Sequence, residues 1–100
     1  MANGYSVPNR NYERGYRLER ICMRDLRADG YTVQSNRGSH GEWDVTAIGP
    51  AHVKLVQVKA YGAADKSARV LLASFKVPKC VHRELWERQP GGKWRVEVVR

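Results

Sequence analysis

One stretch, residues 43–60 with the sequence WDVTAIGPAHVKLVQVKA, constrains the fold of this chain more than any other. Apolar and β-branched residues alternate with polar ones on both sides of Gly49 and Pro50, a turn-forming pair that interrupts regular structure. The pattern therefore predicts two short antiparallel strands joined by a tight turn. The register of this hairpin then decides which of its side chains meet.

The predicted register brings three polar side chains to one place. If the loop comprises residues 49–52, Ile48 faces the first residue of the second strand and Asp44 lies opposite Gln57. Directly opposed residues in an antiparallel pair have Cβ atoms roughly 4.5–5.5 Å apart, and Lys59 follows on the same face two residues later. An acid, an amide and an amine should therefore converge at one end of the hairpin.

The other face of this hairpin is almost continuously apolar, while the face of Asp44 is partly apolar. A sheet with apolar residues on both faces needs cover on both, so we expect a helix on either side. Residues 12–28 and the short apolar segment 67–75 are the two candidates. The apolar face comprises Trp43, Val45, Ala47, Val56, Val58 and Ala60.

Residues 12–28 have helical spacing, with an apolar side and a basic side. Gly30 suits the position just after the last helical residue. Glu19 falls within the apolar side, where a carboxylate needs compensation, either from an ion pair or from a metal ion or water. The basic side is either a solvated face or a phosphate-binding stripe. It carries Arg14, Arg17, Arg20, Arg24 and Arg27, and the apolar side carries Tyr16, Leu18, Ile21, Cys22, Met23 and Leu26.

A polar loop over residues 35–42 joins a predicted strand at residues 31–34 to Asp44. Two glycines flank Ser39 and His40, which suits a flexible lip over a site. His40 is then either simply solvated or in contact with a phosphate or water, and Ser39 faces the same choice.

The end of the chain predicts a second hairpin, with strands over residues 81–88 and 93–99 around a Gln-Pro-Gly-Gly turn. Pairing Arg88 with Lys93 leaves Trp86 on the side away from the core, where it is either covered by a helix or exposed to a partner subunit or a DNA base. The same pairing predicts a core face comprising Val81, Leu85, Trp94, Val96 and Val98.

Length and charge bound the remaining possibilities. One hundred residues suit one domain, which we place at residues 12–100 after a flexible arm over residues 1–11. The net charge of +8, from 18 Lys and Arg against 10 Asp and Glu, favours a polyanionic partner. No apolar run approaches the roughly 20 residues of a membrane span, and the N-terminus lacks the apolar core of a secretory signal. We therefore expect a soluble cytoplasmic protein.

The two cysteines, Cys22 and Cys80, stand in unrelated contexts. No CxxC motif or Cys/His cluster accompanies them, which argues against a zinc site or a disulfide. Both are predicted to be buried free thiols.

The spacing of Asp44, Gln57 and Lys59 resembles the core motif of the PD-(D/E)XK nucleases, in which an aspartate is followed by an acidic or amide residue, one apolar residue and a lysine. Within that superfamily, RGYRLER at residues 14–20 and GSHGEWDV at residues 38–45 resemble the archaeal-type Holliday junction resolvases and their phage and bacterial relatives. The resemblance implies an α/β (α+β) fold of the restriction-endonuclease type, a single domain whose central mixed five-stranded sheet is flanked by helices.

The chain departs from that family at two positions. Trp43 stands where the family often has proline, and Gln57 stands where glutamate is usual. Because Gln57 carries no charge, we expect weaker metal binding than in a relative with glutamate. If this departure disables the site, the protein is a non-catalytic module that binds DNA junctions.

The resemblance also implies roles for individual residues. Mg²⁺, for which Mn²⁺ would substitute, would be held by Asp44, the side-chain oxygen of Gln57, the carbonyl of Val58, and Glu19 directly or through water. Lys59 would orient or deprotonate the attacking water. Ser39 matches the family's loop serine and is counted with the catalytic residues. DNA contacts are expected from the helix arginines Arg14, Arg17, Arg20, Arg24 and Arg27, and from Arg37, His40, Lys66 and Arg69.

The leading expectation is a magnesium-dependent endonuclease that resolves four-way DNA junctions by paired cuts. Such a junction has near two-fold symmetry, so a homodimer with two identical sites matches it. No membrane and no small-molecule cofactor are expected as partners. The alternatives are a nickase or restriction-type enzyme acting on duplex DNA, and the non-catalytic junction binder.

Overall fold

The computed structural model describes residues 10–36 and 42–100, and the side chains of residues 10–14 fall outside that description. Within it, two helices flank one five-stranded sheet. The strands lie in chain order and are antiparallel except for the parallel pair β3 and β4, which α2 connects. The predicted mixed sheet flanked by helices is therefore confirmed. The elements are α1 (Arg10–Ala28), β1 (Thr32–Ser35), β2 (Val45–Ile48), β3 (Val53–Lys59), α2 (Lys66–Ala73), β4 (Val81–Gln89) and β5 (Lys93–Val99).

The first hairpin, β2 and β3, has the predicted register, with Ile48 paired to Val53 and Thr46 paired to Leu55. The sheet has a helix on either side, as the sequence indicated, because α1 packs on β1, β2 and β3 while α2 packs on the other face of the sheet against β4 and β5. The core under α1 contains Cys22, Leu26, Val45, Ala47, Val56 and Trp86. The core under α2 contains Ala68, Leu72, Leu85 and Val99.

Helix α1 begins at Arg10, two residues earlier than predicted, and its apolar side faces the sheet. Leu26 is completely buried, whereas Arg17, Arg20, Arg24 and Arg27 on the opposite side are exposed. Gly30 follows the helix with φ of +93°, a conformation that favours glycine. The N–H of Tyr31 donates to the carbonyl of Leu26, so the end of α1 is closed against the start of β1. In the described ranges no helix is long and apolar enough to cross a membrane.

Helix α2 starts at Lys66 because Asp65 caps it. The Asp65 carboxylate accepts hydrogen bonds from the N–H of Ala68, at 3.1 Å, and from the hydroxyl of Ser67, at 2.8 Å. The helix ends at Ala73, before the predicted end at residue 75. This cap fixes the chain direction just after the loop that follows β3.

The register predicted for the second hairpin is wrong by one residue. Gln89, not Arg88, pairs with Lys93, because the loop has three residues and its two glycines adopt φ of +86° and +81°. A shift of one residue moves every side chain to the other face. Val96 and Val98 therefore join the face of Trp86 and not that of Leu85, and these predicted core residues are 45% and 41% exposed. Trp86 itself is buried under α1, which is the first of the alternatives that the sequence left open.

The position predicted for Trp43 is also wrong. Its indole packs on the α2 side of the sheet, against Phe75 at 5.4 Å between ring centroids, and not with Val45. Residue 43 precedes the first residue of β2, so strand alternation does not govern its direction. Its indole N–H donates to the Thr46 hydroxyl at 2.9 Å, which fixes the approach to β2.

Both cysteines are free thiols, as predicted. Cys22 is buried, but Cys80 is exposed, so the prediction of burial is wrong for Cys80. Cys80 lies immediately before β4 at the surface, in the turn after Pro78, and not on a strand face that packs against a helix.

Candidate active site

Asp44 is bonded to β3 through both its main chain and its side chain. Its N–H donates to the carbonyl of Val56 at 2.8 Å, and its Oδ2 accepts the N–H of Val58 at 2.9 Å. These two bonds bracket Gln57, so the carboxylate lies beside the segment that the sequence set opposite it. The strand pairing ends at Val45 and Val56, and the bonds from Asp44 to Val56 and Val58 hold its side chain in one orientation beside β3.

Asn36 holds the same segment from the other side. Its side-chain N–H donates to the carbonyl of Trp43 at 2.9 Å, and its main-chain N–H donates to the carbonyl of Asp44 at 2.8 Å. Sequence reasoning missed this residue. The signal that could have found it is an asparagine directly after a predicted strand, a position from which its side chain often bonds nearby backbone.

Gln57 has a buried oxygen, Oε1, with no hydrogen-bond partner within residues 10–36 and 42–100. Such atoms are rare in native proteins, because burying an unpaired acceptor costs free energy. Here the unpaired oxygen lies on the strand segment that the Asp44 carboxylate brackets. A cation or a donor from a bound molecule would satisfy it.

Lys59 ends β3 on the same face as Gln57 and is half-buried. Its charge is close enough to Asp65 to contribute to the lowered pKa of that carboxyl, after the hydrogen bonds from Ser67 and Ala68. The Lys59 amine therefore lies toward the start of α2. Its strand neighbour on β4 is Glu87.

Glu87 fixes the loop that follows Lys59. The side chain is nearly buried, and its Oε2 accepts the N–H of Gly62 at 2.8 Å. Burial acts to raise the pKa of Glu87, but the hydrogen bonds from Gly62 and Gln89 outweigh it and leave the pKa below its ordinary value. An ionised Glu87 thus anchors the chain where it leaves the candidate site.

Glu19 is half-buried on the side of α1 that faces the sheet. Glu19 and Asp44 both influence Cys22, which is completely buried. Burial and then the negative charges of Asp25, Asp44, Glu84 and Glu19 raise the pKa of the Cys22 thiol to about 12. Glu19 and Asp44 are therefore both near enough to Cys22 to act on its thiol.

The donor types suit a hard cation, although the described part of the chain contains no cluster of three His, Cys, Asp or Glu side chains with metal-binding geometry. Only two of the four predicted ligands, Asp44 and Glu19, are of those types, since Gln57 is an amide and Val58 offers a main-chain carbonyl. All four supply oxygen, which Mg²⁺ prefers. The buried Gln57 oxygen, which has no hydrogen-bond partner among the described residues, is an acceptor that such a cation would satisfy.

The arginines of α1 line an open groove of about 1040 Å³. The exposed side chains make it strongly basic, and the guanidinium of Arg20 lies 5.6 Å from the ring centroid of Tyr16. Arg24 is partly engaged, because it forms an ion pair with the adjacent Asp25 at 3.0 Å. The groove is lined by Tyr16, Arg17, Arg20, Ile21, Met23, Arg24, Arg27 and Ser35.

The remaining predicted DNA contacts lie elsewhere. Arg69 forms an ion pair with Glu97, with its Nε at 2.9 Å from both carboxylate oxygens, and thereby ties α2 to β5. Lys66 is exposed at the first position of α2. Arg37, Ser39 and His40, and the side chain of Arg14, lie outside the described residues. The roles assigned to all of these residues stay predictions.

The chain shares its fold with a nuclease of known structure. It superimposes with a TM-score of 0.70 on the 1.6 Å structure of Archaeoglobus fulgidus Hjc, a Holliday junction resolvase from an archaeal hyperthermophile, covering 86% of this chain and 73% of that chain at 19% sequence identity. No protein-family model matches the sequence, and no curated protein matches it significantly. The predicted fold is thus confirmed at the level of structure.

Proposed function

We propose that this protein is a metal-dependent endonuclease that cuts branched DNA, with its site built on Asp44, Gln57 and Lys59. One observation carries the proposal. The Asp44 carboxylate is fixed by the N–H of Val58 at 2.9 Å, and the preceding residue of that strand, Gln57, has a buried side-chain oxygen with no hydrogen-bond partner among the described residues. This arrangement occurs in a fold shared with a Holliday junction resolvase.

Mg²⁺, or Mn²⁺ in its place, would be held by Asp44, Gln57, the Val58 carbonyl and Glu19. When bound, such an ion activates water for attack on phosphorus and offsets the charge that develops on the phosphate oxygens. Asp44 presents its carboxylate at a fixed position for this purpose, because Oδ2 is already oriented by the main chain of β3. Gln57 adds an oxygen without adding charge.

Lys59 acts on the attacking water and on the phosphate. Its amine lies on the face of β3 that carries Gln57, two residues along, so it approaches the same region from the end of the strand. An ammonium group there donates hydrogen bonds to water or to a phosphate oxygen and so orients the reacting atoms. Glu87 keeps the following loop in place through Gly62.

The arginine groove on α1 supplies the DNA-binding surface. Four exposed arginines line it, in a chain whose net charge is +8. Guanidinium groups bind phosphates with charge-assisted, often bidentate hydrogen bonds. The proposed substrate is the four-way junction, cut by a homodimer whose two sites match the two-fold symmetry of that DNA.

A second function, binding junctions without cutting them, is favoured by the amide at position 57. The described residues offer two carboxylates to the ion where a relative with glutamate would offer three. The two functions are separated by catalysis alone, since both require the arginine groove.

The decisive experiment compares cleavage of a four-way junction, a flap and a plain duplex over a range of Mg²⁺ concentrations. We expect Mg²⁺-dependent cutting of the junction first, and loss of cutting with retained junction binding in EDTA for Asp44→Asn. The matched control is Asp29→Asn, which makes the same substitution at an exposed position after α1. Junction binding without cutting at any Mg²⁺ concentration would establish the second function, and absence of DNA binding would refute both.

A further inference from the structure

Strand β5 is a long, regular edge of the sheet. It is the last strand in the order, and its outer side has no strand partner among residues 10–36 and 42–100. Each of its seven residues pairs with β4 without a bulge, and none is proline. Val96 and Val98 on this edge are 45% and 41% exposed. Such an edge is a template for a further strand, whereas the opposite edge, β1, has only four residues.

The other face of β5 carries two charged side chains of opposite sign. The Arg95 guanidinium approaches Glu87 only at 3.8 Å and is 67% exposed, so it is accessible to a further carboxylate. Glu97 is bonded by Arg69 but remains partly exposed, and a carboxylate has room for a second donor. Charges on an edge strand ordinarily prevent it from pairing with another chain. They favour pairing where the two strands set opposite charges against each other.

The sequence of β5 is self-complementary about Val96. In an antiparallel pair of two β5 strands centred on this residue, Val96 lies opposite its own copy. Arg95 of each strand then lies opposite Glu97 of the other. On the apolar face, Trp94 of each strand lies opposite Val98 of the other. Both the charged and the apolar side chains of this edge therefore match a second copy of the same chain.

We propose that two copies of this chain pair antiparallel along β5, with Val96 at the two-fold axis. This inference rests on the proposed function, whose homodimer it assigns to one surface. The pairing joins two five-stranded sheets into one and keeps equivalent faces on the same side. Gln57 is level with Leu85, and Leu85 with Glu97, one residue from the axis. Five strand spacings of about 4.8 Å and an offset of two residues then place the two Gln57 segments about 25 Å apart.

Disulfide cross-linking tests this register directly, in EDTA and without DNA. In a Cys80→Ser background, which removes the exposed native thiol, Val96→Cys should form a disulfide with its own copy on mild oxidation. Directly opposed residues have Cα atoms about 4.5–5.5 Å apart, within the range of a disulfide. Val98→Cys is the matched control, because it is similarly exposed on the same face but lies opposite Trp94. It should cross-link at least about tenfold more slowly, and equal cross-linking of both variants, or of neither, would overturn the inference.

Sedimentation equilibrium of uncross-linked protein tests the charge pairs. Arg95→Glu sets like charges against each other on both sides of the axis, so the dimer should dissociate roughly 10- to 100-fold more readily. Lys93→Glu is the matched control, since it makes the same change on the same face of β5 opposite the uncharged Val99. It should change the dissociation constant by less than about threefold. An equal loss in both variants, or no loss in Arg95→Glu, would contradict the proposed register.

The outcomes also separate this inference from the proposed function. A wild-type protein that cuts the junction, and whose Val96→Cys variant does not cross-link, refutes the pairing along β5 and leaves the nuclease activity standing. A protein that cross-links through Val96→Cys but neither binds nor cuts the junction refutes the proposed function and leaves the pairing standing.

Discussion

Gln57→Glu tests the candidate metal site through protein stability, without any DNA. The substitution places a second carboxylate between the two residues, Val56 and Val58, whose main chain bonds Asp44. Two unit charges about 5 Å apart repel each other by about 3 kcal/mol at an effective dielectric constant of about 20. Because side chains relax, we expect the metal-free variant to lose about 1–3 kcal/mol of unfolding free energy near pH 7.

A divalent cation reverses the sign of this effect. An ion between the two carboxylates is attracted by both and offsets their mutual repulsion. Mg²⁺ should therefore bind more tightly to Gln57→Glu than to the wild type. Binding to the folded state alone stabilises it by RT ln(1 + [L]/Kd). The variant should therefore gain more stability from a given Mg²⁺ concentration than the wild type gains.

The assay is urea-induced unfolding in EDTA and at several Mg²⁺ concentrations. Gln34→Glu is the matched control, because it adds the same charge at an exposed position of β1 in the same sheet. Its effect should stay within about 0.5 kcal/mol, as for most surface substitutions. The penalty for Gln57→Glu should also shrink as the pH falls and the introduced carboxyl becomes neutral. A metal-free variant as stable as the wild type, with no added response to Mg²⁺, would refute the site as described.

Three further results are expected. Lys59→Met should keep junction affinity and lower the single-turnover rate by about 10²–10⁴-fold, because the apolar stem remains while the amine is lost; cutting within a few-fold of wild type at saturating DNA would remove the amine from the reaction. Asn36→Ala should slow cutting by about 10–100-fold with DNA binding unchanged, because the segment that carries Asp44 loses a hydrogen bond. Weaker DNA binding at an unaltered cutting rate would contradict this positioning role. Asp25→Asn should flatten the acid side of the stability profile measured by urea unfolding. Burial acts to raise the pKa of Asp25, but the hydrogen bonds from Trp94 and a neighbouring arginine outweigh burial and leave the pKa below its ordinary value. The contribution of Asp25 to the stability of the fold is therefore present above the ordinary carboxyl pKa. It is lost as the pH falls through the lowered pKa of the folded state. A wild type and a variant that lose stability in parallel on acidification would show that Asp25 contributes nothing.

The first hairpin could be predicted from sequence because its determinants are local. The Gly49 and Pro50 turn sets the loop length, and the loop length sets the pairing of Ile48 with Val53 and every pair beyond it. Asp44 lies one residue before this register, and its bonds to the main chain of Val56 and Val58 bring it to the segment that carries Gln57. Alternation of side chains then needs no information from the rest of the chain.

The second hairpin could not be predicted in the same way. A Pro-Gly-Gly loop of three residues and a Gln-Pro-Gly-Gly loop of four residues differ only in the backbone angles of two glycines, which the sequence leaves free. That choice decides whether Val96 pairs with Leu85 or with Trp86, and therefore which face of the sheet Val96 joins. Trp86 and Leu85 are both buried because α1 covers one face and α2 covers the other, which the strand pattern alone does not show.

The supports of the site depend on contacts between segments that are distant in sequence. Asn36 bonds the carbonyls of Trp43 and Asp44 across the intervening loop, and Glu87 bonds Gly62 from the neighbouring strand. Neither pair has a sequence signature, since each needs the sheet to be formed first. The residues with proposed chemistry are recognisable by type and spacing, whereas those that hold them are recognisable only by geometry.

Because the two thiols have different environments, one of them is reactive in the folded protein and the other is not. Cys22 is buried, and its pKa of about 12 leaves almost no thiolate at neutral pH, so it resists alkylation and oxidation. Cys80 is exposed just before β4, away from the α1 groove. A maleimide fluorophore or spin label should therefore attach at one defined point in the native state, and labelling of the second thiol reports unfolding of the core beneath the candidate site.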